Sequence, residues 1–304
     1  MKIHNINHWI AASCMMIVVT ACGNDSEPTE ETVSYLKVNL EGVALSSRAI
    51  IEGSTLPDNV SYGIFAMNGY TEQCIDKGEN VEVFYKDQVS ETAVKIPLPQ
   101  DVHVPVYAYY PYSEDVSLAS FPIDISTQTD YLWGYGVDQF GKQWYATATN
   151  RSIGIYLKHI LSRITLRIHR DADNDINYKL SSVLLSGDGM NTYRTCMADV
   201  QNQTLRDLSY GGYSDVKGSM QGYYLESSDD VVTVDYLIIP SGNVEWSFFI
   251  TGSTEFWSEL PVTDYVSGEQ YTFDVTIMKG QYLSVSAAEI SQWENHDQSE
   301  VTLK

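Results

Sequence analysis

Apolar and polar side chains alternate along most of this chain in short runs, with turn residues between them. In Tyr35–Val43, Tyr35, Lys37, Asn39 and Glu41 fall on one side and Leu36, Val38 and Leu40 on the other. A period of two marks a half-buried β-strand. The pattern recurs at 61–69, which ends in an Asn-Gly turn signal, and at 81–86, 93–99, 103–112, 130–136 and 144–150. The longest run is 153–170. Within it Ile164, Leu166 and Ile168 face one way while Thr165, Arg167 and His169 face the other, as in a core strand.

Asp171–Asn177 breaks the pattern, and a domain boundary is expected there. Beyond it, 178–189 ends in Asp-Gly and predicts a hairpin with 193–200 as its partner. Residues 206–230 are rich in Gly, Ser and Asp and read as a long loop or weak hairpin. Strong strands are expected at 231–240, 244–252 and 271–280, with turns at Pro240–Asn243 and Lys279–Gln281. The segment 282–293 and a short tail close the chain.

Beyond the first residues, no window keeps a helical period with caps. Many short strands at regular spacing predict an all-β protein of antiparallel β-sandwiches, and 304 residues suit two in tandem. The expected domains are 34–172 and 173–304. Ile164, Leu166, Ile168, Phe273, Val275 and Ile277 are the expected core.

The N-terminus follows a different rule. Lys2 precedes an apolar run of thirteen residues, Trp9–Ala21, and then Cys22. That is signal-peptide length, short of the ~20 residues a spanning helix needs. A small residue before a cysteine at this place is the pattern of a lipoprotein signal, 1–21, cut between Ala21 and Cys22 so that Cys22 is lipidated. Residues 22–33 are polar and acidic and read as a tether. The first predicted strand then lies between this anchor and a lone basic residue, Arg48, in the polar stretch Ser46–Arg48.

Charge narrows the partners. Eighteen Lys and Arg stand against 40 Asp and Glu, a net charge of −22. Such a surface repels nucleic acid and anionic headgroups. Of the four cysteines, Cys14 leaves with the signal and Cys22 takes the lipid. Cys74 and Cys196 remain; an oxidising compartment allows them to pair, but their spacing does not require it, and two free thiols are the simpler expectation.

Catalytic patterns do not emerge. His103, His159, His169 and His296 lack metal-ligand spacing, and His159 on an apolar strand reads as a satisfied core histidine. Asp171, Asp173 and Asp175 mimic the start of a calcium loop. Ile176 replaces the required Gly and Ser182 the bidentate Glu, so a solvated turn is the better reading. Tyr109, Tyr110, Tyr112, Tyr131, Trp133 and Trp144 offer either a sugar-stacking surface or, more often for strands of this kind, core filling. No enzyme activity and no cofactor are expected.

Taken together, the lipidation signal, the strand ending in Ser47-Arg48-Ala49, the stretches YAYYPY (107–112), DYLWG (130–134) and LKHILSRITLRI (157–168), and the ending YTFDVTI…LSVSAAEISQW resemble the Mfa-like fimbrillins of Bacteroidales. The resemblance spans essentially the whole mature chain and implies two transthyretin-like β-sandwiches, exported as an outer-membrane lipoprotein and assembled into surface pili. It implies acylation of Cys22, cleavage between Arg48 and Ala49 by an arginine-specific protease, and a donor strand from the C-terminal region. Candidates there are Leu283, Val285, Ile290, Val301 and Leu303. The implied partners are other fimbrial subunits, the outer membrane through the lipid, and a host glycan or protein, with no nucleic acid. Stalk, tip and anchor roles stay open, as does a ligand-binding lipoprotein that keeps its lipid.

Overall fold

The computed structural model describes residues 33–293 apart from 43–44, 47–51, 54, 139, 188–191, 211–215, 218, 221–223 and 263. The described residues are strands and turns, with one 3-10 turn at Ile125–Thr127. In chain order the first strands are β1 (Lys37–Gly42), β2 (Leu45–Ser46), β3 (Glu52–Gly53), β4 (Val60–Ala66), β5 (Val81–Lys86) and β6 (Val89–Thr92). Next come β7 (Val104–Tyr110), β8 (Phe121–Asp124), β9 (Leu132–Val137), β10 (Tyr145–Ala146), β11 (Ser152–His159) and β12 (Ser162–Arg170). Then follow β13 (Tyr178–Gly187), β14 (Tyr193–Asp199), β15 (Thr204–Tyr210), β16 (Val216–Lys217), β17 (Ser219–Met220) and β18 (Tyr224–Leu225). The last are β19 (Val232–Ile238), β20 (Trp246–Gly252), β21 (Phe256–Glu259), β22 (Glu269–Met278), β23 (Tyr282–Val285) and β24 (Glu289–Gln292).

The N-terminal strands form one sheet in the order β1-β11-β9-β7-β4-β5-β6, with β10 on β7. Its inward positions, among them Ile64, Val83, Val106, Ile155 and Leu157, fill one apolar core. The sheet curls until its first and last strands, β1 and β6, approach each other. The expected strand 93–99 is instead an irregular strip after β6. Pro97 and Pro99 cannot donate to a ladder, which stops the strand early. Likewise only Tyr145–Ala146 of the run 144–150 pairs with β7. A local turn takes the rest, with Thr147 N–H donating to Asn150 O and Asn150 N–H to Thr147 Oγ1.

The long run 153–170 is two strands. β11 ends the N-terminal sheet at His159, and β12 opens a new sheet at Ser162. Between them Ile160 and Leu161 are both fully buried, which interrupts the period of two. The chain thus changes sheets about ten residues before Asp171–Asn177. That turn is tied to the end of β22: Asn174 is buried and its Nδ2 donates to Ile277 O at 3.0 Å.

Three further sheets follow, β17-β19-β12-β22-β23 with β24 also on β22, β16-β13-β20-β21 with β18 on β13, and β15-β14-β8. The first two face a common core containing Ile164, Leu166, Val183, Phe248, Phe273 and Val275, consistent with a β-sandwich. All six expected core residues are fully buried. The predicted hairpin of 178–189 with 193–200 does not form. β13 pairs with β20, while β14 pairs with β15 and with Phe121–Asp124. Long-range burial of Cys196 and Ala198 against Phe121 and Ile123 outweighs the local Asp-Gly signal. Every named ladder is antiparallel except two, β1·β11 and β12·β22.

Candidate functional site

β1 lies in a seam. On one side Lys37–Gly42 runs parallel to β11, with Lys37 opposite Ser152 and Leu40 opposite Ile155. On the other, the lead-in Ser34–Leu36 meets the irregular strip: Leu36 N–H donates to Ile96 O at 2.9 Å, and Leu98 N–H to Ser34 O at 2.8 Å. Lys95 Nζ sits 5.6 Å from the centre of the Tyr35 ring, pinning the entry. The inward side chains Leu36 and Val38 are 5% and 4% exposed and join the N-terminal core, with Leu40 packed beside them. Each such burial is worth about 1.5–3 kcal/mol. The outward residues Lys37, Asn39 and Glu41 are exposed. Removing Ser34–Gly42 would uncover backbone groups of β11 and of Ile96 and Leu98, and an apolar floor, which is costly in water.

One glycine makes the fit close. A Cβ on Gly154 of β11 would stand 2.3 Å from Glu41 Cγ, so a larger residue there would force this side chain of β1 to shift.

The described residues end in a second edge. β23 pairs with the end of β22 and β24 with its beginning, Val275 opposite Val285 and Tyr271 opposite Ile290. Leu283 and Val285 are partly buried against the larger core, whereas Ile290 is exposed. Trp293 is then drawn inward. Its backbone N–H donates to Gly268 O at 2.7 Å, and its ring stacks on His159 at 3.7 Å and 9°. His159 Nδ1 lies 2.9 Å from Asp130 Oδ1, with both side chains buried. That leaves His159 Nε2 and Trp293 Nε1 buried with no hydrogen-bond partner. The core-histidine reading is met on one ring nitrogen only.

Cys74 and Cys196 are free thiols. Cys196 is buried, and burial pushes its thiol up to about 12; Cys74, partly buried, has its Sγ 3.5 Å from Met67 Sδ. Of the six aromatics considered for sugar stacking, Tyr109 and Trp133 are core residues, Tyr110, Tyr112 and Tyr131 are half-buried, and Trp144 is exposed. Ala21, Cys22, Arg48, Ala49, Val301 and Leu303 lie outside the described residues.

A fold built on curled and facing β-sheets with a terminal strand in a seam can be placed among known proteins. The family model for fimbrillin-like proteins matches residues 47–293. The chain belongs to the fimbrillin-like family. A proposed cell adhesion protein from Bacteroides uniformis has a similar crystal structure, with a TM-score of 0.66 at 17% identity, covering 87% of this chain and 99% of that one. A second, from Bacteroides ovatus, gives 0.61 at 14% identity over 87% and 99%. A fimbrial protein from Bacteroides vulgatus gives 0.51 at 13% identity over 86% and 99%. At these identities the likeness is one of fold. No curated protein matches the chain in sequence.

Family membership supports a fimbrial subunit role in a cell-surface appendage. In this fimbrillin-like chain β1 precedes the matched region, so the strand in the seam is outside what the family model covers. Sequence reasoning found the strand but missed both of its partners. Two signals were available: the prolines at 97 and 99, which cannot belong to a central strand, and a glycine inside β11, which marks close approach.

Proposed function

We propose that this chain is exported as a lipoprotein held by Cys22, and that it polymerises by exchanging β1 for a strand of another subunit. The observation that carries this reading is the segment Ser34–Gly42, whose strand β1 is laddered to β11 and whose lead-in is hydrogen-bonded to Ile96 and Leu98, with Leu36 and Val38 in the core. Cleavage between Arg48 and Ala49 would release lipid and strand together. The open groove then accepts an extended segment, whose backbone supplies hydrogen bonds and whose alternate side chains fill the pockets left by Leu36 and Val38. Filling of this kind runs head to tail, does not close, and builds a filament. The donor is the C-terminal region. Leu283, Val285 and Ile290 would first have to leave β22; Val301 and Leu303 are the other candidates. We also assign two sandwiches to the compact unit that begins at Val33, with the handover at Ile160–Leu161 rather than at Asp171.

Surface material run on gels without boiling tests the assembly step. Arg48→Ala should abolish heat-labile ladders and leave a folded monomer; ladders that persist would remove cleavage at Arg48 from the mechanism. Cys22→Ala should lose palmitate labelling, and a labelled variant would refute the anchor.

A further inference from the structure

Outside the seam, on the exposed side of β1, a groove of about 620 Å³ is lined by Asn39 and Glu41 of β1, Ser152 and Gly154 of β11, Asn150, Trp144, and the turn carrying Asp138 and Phe140. Its size falls in the range of small-molecule sites, about 300–1,000 Å³. Three features of its wall are unusual for a surface that merely faces water.

First, it holds an aromatic ring with one face already covered. Trp144 stacks on Tyr145 at 4.8 Å and 8°, and Tyr145 stacks on His103 at 4.1 Å and 19°. Tyr70 extends the column at 6.1 Å from His103. The column holds the indole in place, and the indole borders the groove. Trp144 N–H also donates to Gly136 O at 2.8 Å, which anchors its backbone to β9. Second, Phe140 is 77% exposed on a tight turn. Asp138 Oδ1 builds that turn by accepting from the N–H groups of Phe140 and Lys142. The Phe140 ring is the most exposed of the large apolar side chains among the described residues. Third, short hydrogen-bonding side chains surround these rings. Asn39 Nδ2 donates to Ser152 Oγ at 3.1 Å, while the side chains of Glu41 and Asn150 make no hydrogen bond among the described residues.

A flat indole face beside amides, a hydroxyl and a carboxylate complements a pyranose ring, which has one apolar C–H face and a rim of hydroxyls. Two carboxylates, Glu41 and Asp138, line the groove and no Lys or Arg does, so an anionic sugar would be repelled. We propose that this groove binds a neutral oligosaccharide, with a sugar ring stacked on Trp144 and its hydroxyls held by Asn39, Glu41 and Asn150. Because Asn39 and Glu41 belong to β1, the site is complete in a chain that keeps this strand. A chain that has lost β1 lacks that wall unless a donor strand rebuilds it.

The test uses the full chain carrying Arg48→Ala, so that the outcome is independent of strand exchange. It is applied to a printed array of neutral, sialylated and sulfated oligosaccharides, and neutral hits are titrated by calorimetry. Neutral glycans should bind, with sialylated forms of the same glycans at least about tenfold weaker. Trp144→Ala should weaken binding at least about tenfold, a change of about 1.4 kcal/mol. Asn39→Ala, a second exposed position, should weaken it in the same direction without altering the circular dichroism. An array with no neutral hit, equal binding by Trp144→Ala, or a preference for sialylated glycans would each overturn the assignment.

Discussion

The two parallel strand pairs, β1·β11 and β12·β22, look alike as ladders and differ in everything that holds them. β12 has a neighbour on each side along most of its length, β19 and β22, and Ile164, Leu166 and Ile168 are fully buried. Even its other face is closed at one end. Asp235 accepts from Thr165 Oγ1 at 2.6 Å and from Arg163 Nε at 3.1 Å, with all three side chains buried. β1 buries one face, leaves Lys37, Asn39 and Glu41 in water, and over Lys37–Gly42 is laddered to β11 alone. It is also the first strand among the described residues. Parallel pairing therefore does not decide which strand can leave. Two-sided burial and position along the chain do.

The largest effect should come from the centre of the fixed pair. Phe273 on β22 is fully buried opposite Leu166. Phe273→Ala should cost about 3–5 kcal/mol and lower the melting temperature by roughly 10 °C, with the loss shared by the whole sandwich. Hydrogen exchange that rises in β22 alone would show that this sheet is not a cooperative unit, and the contrast with β1 would fail.

A smaller and more local effect is expected in the seam. Val38→Asp would place a carboxylate where no partner exists, a penalty of several kcal/mol. Leu36 and Val38 together contribute about 3–6 kcal/mol by burial, so the strand should leave instead of accepting the charge. The expected result is rapid exchange and proteolysis across Lys37–Gly42 with the remaining strands still protected. A variant that unfolds globally would mean that β1 is structural to the body and not a removable element.

How much of this was readable beforehand depends on the kind of interaction. Alternation revealed β1, β5, β12 and β22, because each buries one face and the period of two is a direct record of that. It could not reveal that β1 pairs in parallel with a strand more than a hundred residues later, since register between distant strands leaves no local mark. The seam partner Ile96–Leu98 was read as a strand, although Pro97 and Pro99 argued otherwise. The adjacent buried pair Ile160–Leu161, where alternation slips, marked the change of sheet more faithfully than the polar turn at Asp171. β8 and β21 were missed for another reason: each is four residues long, too short to establish a period. In the groove, Trp144 was among the aromatics singled out. Asn39, Phe140 and Asn150 were not, because only the fold brings three separate loops and strands to one wall.

The smallest effect should come from the ion pair lying across the fixed ladder. Arg167 and Asp274 are directly opposed in the β12·β22 register and form a two-point contact, Nε to Oδ1 at 2.9 Å and a terminal nitrogen to Oδ2 at 2.8 Å. The hydrogen bond to Asp274 holds the Arg167 guanidinium pKa above its ordinary value. Yet the side chains are 42% and 44% exposed, so water and salt screen them. Arg167→Met keeps the apolar stem over the sheet and removes the charge. It should cost less than about 1 kcal/mol, a melting shift of at most a few degrees. The difference from the parent chain should shrink further in high salt. Release of β23 and β24 by this change would show that the C-terminal edge depends on charge, because Glu289 of β24 also lies 3.9 Å from Arg167. Retention of both strands would leave Trp293 and the backbone ladder as what holds that edge, the same kinds of contact that hold β1 in its seam.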